Sequence, residues 1–154
     1  MPKEIERKFL LKNDHWKSEF ISRTVIKQGY LSTQKERTVR VRILGEKGFL
    51  TIKGATVGMT RLEFEYEIPV DEATELLQLC EKPLIEKERF IVSRGKLNWE
   101  IDIFEGENEG LELAEVELED ENQAVAIPDW VGEEVTFDPR YFNSSLVKLP
   151  FLQW

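Results

Sequence analysis

The sequence predicts a mainly β (α+β) fold of about eight strands in mostly antiparallel order, with three or four short helices beside them. Two observations carry this. Segment after segment alternates charged and apolar side chains with a period of two, the spacing of a strand rather than of a helix. Short turns containing Gly or Asn separate these segments, and only the stretch around Ala73–Cys80 keeps a clear helical spacing.

The first strand is expected over Glu4–Leu10. Asn13 suits the cap of a short helix running to about Arg23, with Trp16, Phe20 and Ile21 as its apolar stripe. Strands follow at Thr24–Ser32 and Thr38–Leu44. A Gly45-Glu46-Lys47-Gly48 turn then leads into Phe49–Lys53, a hairpin signal. Gly54 to Thr60 reads as a loop and Arg61–Pro69 as the next strand. Asp71 is placed to cap the helix carrying Ala73, Leu76, Leu77 and Cys80, with Pro83 beyond its end. Strands Ile85–Val92 and Leu97–Phe104 flank a turn at Arg94-Gly95-Lys96, and Leu111–Glu119 comes next. Asp120 with Gln123 resembles a capping box for a helix stopped at Pro128, and Asp138-Pro139 opens a last short segment. The 154 residues are read as one domain, 1–154, without repeat or linker.

The charges are sorted by strand. Glu4, Glu6 and Lys8 share one face of the first strand. Arg40 with Arg42, and Lys87 with Arg89, make purely basic faces. Glu63, Glu65 and Glu67, then Glu100 and Asp102, then Glu115 and Glu117, make purely acidic ones. Two arrangements fit. An ordinary half-buried sheet puts the charges in water; eight strands closed into a barrel enclose them, with Ile5, Phe9, Val41, Phe64 and Ile101 facing outward under helices. Sorting by sign gains little on a solvated face, where neighbouring like charges repel. Thr, Ser and Gln, common on wet sheet faces, are scarce at these positions.

Counting Lys53 with the bases, the candidate interior holds nine acids and six bases, a net of −3. Such a cavity attracts a polyanion only after divalent cations reverse the local field. Carboxylate clusters are the hard-oxygen sites of Mg²⁺ or Mn²⁺, and Arg and Lys bind phosphate oxygens, so both on one face suggest a metal–phosphate complex. The overall net charge of −9 disfavours nucleic acid or an anionic membrane as partner. No apolar run approaches bilayer length, and the start lacks a secretory apolar segment. Cys80, the one cysteine, fits a reducing cytoplasm and reads as a small buried hydrophobe; His15 reads as a surface side chain.

Glu4-Ile5-Glu6-Arg7-Lys8 resembles the N-terminal Glu-x-Glu-x-Lys signature of the CYTH, or triphosphate tunnel metalloenzyme, superfamily. The match continues through Arg40-x-Arg42, Leu50-Thr51-Ile52-Lys53-Gly54, Arg61-x-Glu63-x-Glu65, Lys87-x-Arg89, Glu100-x-Asp102, Ala114-Glu115-x-Glu117-x-Glu119 and Gly132-Glu133-Glu134-Val135-Thr136. An ordered series over the whole chain is far more specific than any one motif. The resemblance implies a closed eight-stranded antiparallel β-barrel, a triphosphate tunnel with charged interior and short helices outside. It implies a hydrolase using Mg²⁺ or Mn²⁺, closest in form to the short bacterial tripolyphosphatases. Glu4, Glu6, Glu63, Glu65, Asp102, Glu115 and Glu117 would hold metal; Lys8, Arg40, Arg42, Lys53, Lys87 and Arg89 would bind substrate phosphates. Lys8 with Tyr30 would orient or deprotonate the attacking water. The substrate implied is inorganic tripolyphosphate, cleaved to pyrophosphate and phosphate. Nucleoside or thiamine triphosphate hydrolysis, adenylate cyclisation and a non-catalytic polyphosphate-binding module are the alternatives on the same scaffold. A homodimer is the assembly left open.

Overall fold

The computed structural model describes residues 3–154 and has nine strands and two α-helices. In chain order the strands are β1 (Lys3–Leu11), β2 (Ser22–Ser32), β3 (Arg37–Leu44), β4 (Lys47–Gly54), β5 (Thr60–Ile68), β6 (Ile85–Arg94), β7 (Leu97–Phe104), β8 (Glu112–Glu117) and β9 (Val131–Glu134). The helices are α1 (Val70–Leu79) and α2 (Asn143–Lys148). The sheet runs β5-β4-β3-β2-β6-β7-β8-β1-β9, every pair antiparallel. It closes where Lys3–Ile5 of β1 pairs with Thr60–Leu62 of β5. The barrel therefore has eight strands, as expected. β9 is extra: it pairs with Phe9 and Leu11 of β1, continuing along the edge that β5 leaves.

Two-residue turns, Gly45-Glu46 and Gly95-Lys96, join β3 to β4 and β6 to β7. Glycine leads each at φ near +60°, where a side chain would strain the backbone. Three apolar clusters hold the barrel. Ile5, Phe9, Trp99, Ile101 and Val116 face outward beneath Trp16 and Trp130, with Trp99 edge-on to Trp130 at 5.6 Å. Val41 packs under α1 against Ala73, Leu77 and Cys80. The third cluster closes one end from within. Along the inward faces the charges give way to Leu10, Tyr30, Ile85, Phe104 and Leu113, and Tyr141, Leu146 and Val147 of the C-terminal segment pack onto them. That end of the tunnel is an apolar floor.

Several sequence expectations are corrected here. The helix from Asn13 to Arg23 is a single 3-10 turn, His15–Ser18; Trp16 is pulled into the core, and Ile21–Arg23 pair with β6, so tertiary pairing overrides local propensity. The helix before Pro83 starts at Val70, not after Asp71, whose carboxylate accepts only from the next backbone N–H. Asp120 and Gln123 form no helix: Asp120 accepts from Asn122 N and Gln123 from Glu119 N, a closed turn. Ile5, Phe9 and Ile101 are covered by Trp16 and Trp130 rather than by helices, and Phe64 is exposed.

Candidate active site

Seven carboxylates and seven cations line one cavity of about 230 Å³ inside the barrel: Glu4, Glu6, Glu63, Glu65, Glu100, Glu115 and Glu117, with Lys8, Arg40, Arg42, Lys53, Arg61, Lys87 and Arg89. Strand alternation puts them there. Arg40 and Arg42 come from β3 opposite Thr51 and Phe49 of β4, and Glu63 and Glu65 stand across from Lys53 and Thr51. Lys8 stands opposite Glu115 and Glu6 opposite Glu117.

Most charges are paired. Lys53 Nζ donates to both Glu4 oxygens at 3.0 and 2.9 Å and lies 3.3 Å from Glu63. Arg40 reaches Glu65 at 3.4 Å and Thr51 Oγ1 at 3.2 Å. Lys8 lies 3.6 Å from Glu115 and donates to the Tyr141 carbonyl at 3.1 Å. Asp102, fully buried below the cavity, accepts from Lys87 at 2.7 Å and from Arg89 at 2.8 and 2.9 Å.

The exceptions define the site. Arg42 donates Nε to Gln28 Oε1 at 2.8 Å, yet among the described residues it has no carboxylate in ion-pair reach. Burial, with repulsion from Arg40 and Arg89, lowers its pKa to about 9. Arg40 Nε is a buried donor without a partner. On the opposite side, among the described residues, neither Glu6 nor Glu117 has a cation within ion-pair distance. Burial, then Glu115 and Glu4, push Glu6 well up; burial, then Glu4, Glu100 and Glu63, push Glu117 up. One wall therefore needs an anion and the other a cation. Among the described residues no three carboxylates stand close enough to ligate one ion, because Glu4, Glu63, Glu65 and Glu115 each turn to a lysine or arginine. The all-carboxylate donor set, with two members short of positive charge, nonetheless fits a hard divalent cation.

The family model of the CYTH domain matches residues 2–149. The chain belongs to the CYTH domain family. It is 53% identical over 152 residues to a protein of Acetivibrio thermocellus named inorganic triphosphatase, covering 98% of this chain and 97% of that one. A protein of the same name from Nitrosomonas europaea is 38% identical over 150 residues, covering 93% and 95%. A solved crystal structure of an inorganic triphosphatase superposes with a TM-score of 0.65 at 34% identity, covering 96% of this chain and 95% of that one. CYTH triphosphate tunnel enzymes depend on a divalent metal.

Within this CYTH barrel the fold brings together every residue the sequence nominated except Asp102, whose oxygens are taken up below the cavity, and Glu67, which is exposed outside it. Lys8 and Tyr30 both line the cavity. Burial opposes the Lys8 ammonium, but Glu115, Glu6, Tyr30 and Glu4 outweigh it and hold its pKa above the usual lysine range. In the metal-free cavity these carboxylates favour the charged ammonium of Lys8. Burial lowers Lys87 to about 8, Asp102 only partly restoring it. Glu4 falls to about 2 because Lys53 and Arg40 outweigh its burial.

Sequence reasoning missed Arg61 as a lining residue, although it shares parity with Glu63 and Glu65. It also missed the buried Thr38 and Thr51 and the C-terminal Phe142 and Asn143. On the Arg61 side the site continues into a wider cavity of about 470 Å³. Lys35, Arg61 and Lys148 are its charged residues, and no carboxylate lines it. A separate surface pocket lies beside Glu100, Glu117 and Glu119.

Proposed function

We propose that the protein hydrolyses inorganic triphosphate to pyrophosphate and phosphate, using Mg²⁺ or Mn²⁺. The observation that carries this is the pair of unmet charges in one cavity: Arg42 and Arg40 Nε short of an anion, Glu6 and Glu117 short of a cation. A metal–triphosphate complex supplies both. An acid-free, basic entrance in a chain of net charge −9 favours a polyanion arriving from that side.

Glu6 and Glu117, with Glu4, Glu63, Glu65 and Glu115, would hold the metal. Asp102 is reassigned: it fixes Lys87 and Arg89. When bound, a divalent ion neutralises phosphate oxygens and supplies Lewis acidity. The chain's own residues do the rest. Arg40, Arg42, Lys53, Lys87 and Arg89 surround the phosphate oxygens and stabilise charge that builds as the P–O–P bond breaks. Lys8 and Tyr30, at the floor, orient the attacking water. Water attacks the terminal phosphorus, and a new P–O bond forms as the P–O–P bond breaks. Pyrophosphate leaves with the bonding electron pair, and the water's proton passes to the departing pyrophosphate or to solvent. One free cysteine agrees with a cytoplasmic setting.

Phosphate release from triphosphate, pyrophosphate, ATP and thiamine triphosphate, each with Mg²⁺ and with Mn²⁺, tests the reading. Triphosphate should give the highest kcat/KM, and Lys8→Ala should lower kcat more than it raises KM. Cyclic AMP from ATP, or faster turnover of ATP than of triphosphate, would show that the nucleoside is read instead.

A further inference from the structure

Three successive residues of the C-terminal segment, which is not part of the barrel's strands, touch the cavity's cations at its closed end. The Tyr141 carbonyl accepts from Lys8 Nζ at 3.1 Å, and the Phe142 ring lies 5.5 Å from the same ammonium. Asn143 Oδ1 accepts twice, from Lys87 Nζ at 3.0 Å and from Gln28 Nε2 at 3.1 Å. Gln28 in turn accepts from Arg42 Nε at 2.8 Å. The chain Lys87–Asn143–Gln28–Arg42 works in one sense only. Both donors point at the Asn143 oxygen, and flipping that amide would set an NH₂ against an ammonium. Fixing Asn143 fixes Gln28, whose oxygen is then the end that faces Arg42. Gln28 and Lys87 are 0% and 1% exposed, so no bulk water replaces a lost partner.

The segment is held firmly enough to act as a template. Val135 N donates to Lys8 O at 2.8 Å, and Lys8 N donates to Thr136 Oγ1 at 3.0 Å. Tyr141, Leu146 and Val147 are buried in the floor cluster, and Tyr141 meets the Trp154 ring at 5.1 Å. Further on, Phe151 N donates to the buried Asn108 Oδ1 at 2.8 Å.

We infer that Asn143 is a positioning residue for the phosphate cradle: through its one oxygen it sets Lys87 directly and Arg42 by way of Gln28, so the end wall of the site is built by the C-terminal segment as well as by the barrel. This rests on the triphosphatase reading, since it assigns Lys87 and Arg42 to phosphate. Neither Asn143 nor Gln28 touches substrate in this role; they hold the groups that do.

The test compares Asn143→Leu, Asn143→Asp and Gln28→Leu with the unaltered protein. Asn143→Leu keeps the shape and loses the acceptor, whereas Asn143→Asp keeps an acceptor for both donors. KM for triphosphate should rise about tenfold or more in Asn143→Leu, the size expected when a hydrogen bond to a buried charge is lost. Asn143→Asp should stay within about threefold, and the Gln28→Leu/Asn143→Leu double variant should be little worse than the worse single one, because the two act in series. Equal losses in Asn143→Leu and Asn143→Asp, additive losses in the double variant, or an unchanged KM would overturn the inference. If the unaltered protein shows no turnover, the triphosphatase reading fails on its own account. The affinity for intact triphosphate with Mg²⁺, read by calorimetry, then makes the same comparison among the variants.

Discussion

Arg42 is the residue on which the account turns, since it is cationic, half-buried in the cavity wall and, among the described residues, without a carboxylate in ion-pair reach. A charge held that way costs stability unless a ligand brings the counter-charge. Arg42→Gln should therefore leave the melting temperature unchanged or raised while kcat/KM falls by about a hundredfold or more, the scale of losing one preorganised electrostatic contact. Asp102 and Glu117 make the converse pair. Asp102 neutralises Lys87 and Arg89 with every oxygen engaged, so Asp102→Asn should cost about 3–5 kcal/mol in a denaturant titration. Glu117 is surrounded mainly by like charges, Glu4, Glu100 and Glu63, which outweigh the attraction of Lys53; Glu117→Gln should abolish turnover without loss of stability. The sequence made both look alike, because strand parity tells which face a carboxylate shares and not how deep it lies. Depth depends on the stagger between strands, which only the closed barrel sets. Parity located Arg40, Arg42, Lys87 and Arg89 in the cavity but left out Arg61, which stands at the very start of its strand and whose charge is opposite to that of Glu63 and Glu65 on the same face.

At the scale of elements, alternation identified eight strands because each carries its own charged and apolar faces. β9 escaped it: Val131–Glu134 is four residues long and owes its conformation to the edge of β1 rather than to its own pattern. The helix expected near Trp16 failed for a related reason, as the aromatic residues that looked like a helical stripe serve a stack of Trp16, Phe20 and Phe90. α1 lies directly over the β3–β4 hairpin at Gly48. A Cβ there would sit 2.8 Å from Ala73 Cβ and 3.0 Å from the Ile68 carbonyl. Gly48→Ala should thus lift α1 and cost about 1–3 kcal/mol, as overpacking does, measurable as a lower urea midpoint. Activity below the melting transition should survive, because no side chain of α1 lines the cavity. Unchanged stability would mean that the helix is looser on the sheet than its packing indicates.

The molecule as a whole holds opposite charges inside one barrel, and its pH response should show it. Glu6 and Glu117 bind protons more tightly folded than unfolded. The metal-free protein should therefore gain stability as pH falls through their raised pKa values towards the ordinary carboxylate value of 4.5. Glu4, Glu115 and Asp102 are shifted the other way. Their contribution is present above that ordinary range and is lost as pH falls further, for Glu4 through about 2. In chelator the melting temperature should peak in mildly acid solution. Mg²⁺ should raise it more at about pH 8 than at about pH 5, where protons already neutralise the same carboxylates. A metal-free melting temperature that falls steadily from neutral to acid pH would show that Glu6 and Glu117 are paired in solution.

The central claim is that the barrel needs metal and triphosphate together. Phosphorus NMR of triphosphate incubated with the protein tests it most directly, in Mg²⁺ or Mn²⁺ and again in excess chelator. One pyrophosphate and one phosphate should appear for each triphosphate consumed, and only while the metal is present. Turnover that persists in chelator, or triphosphate left intact with both metals, would contradict it.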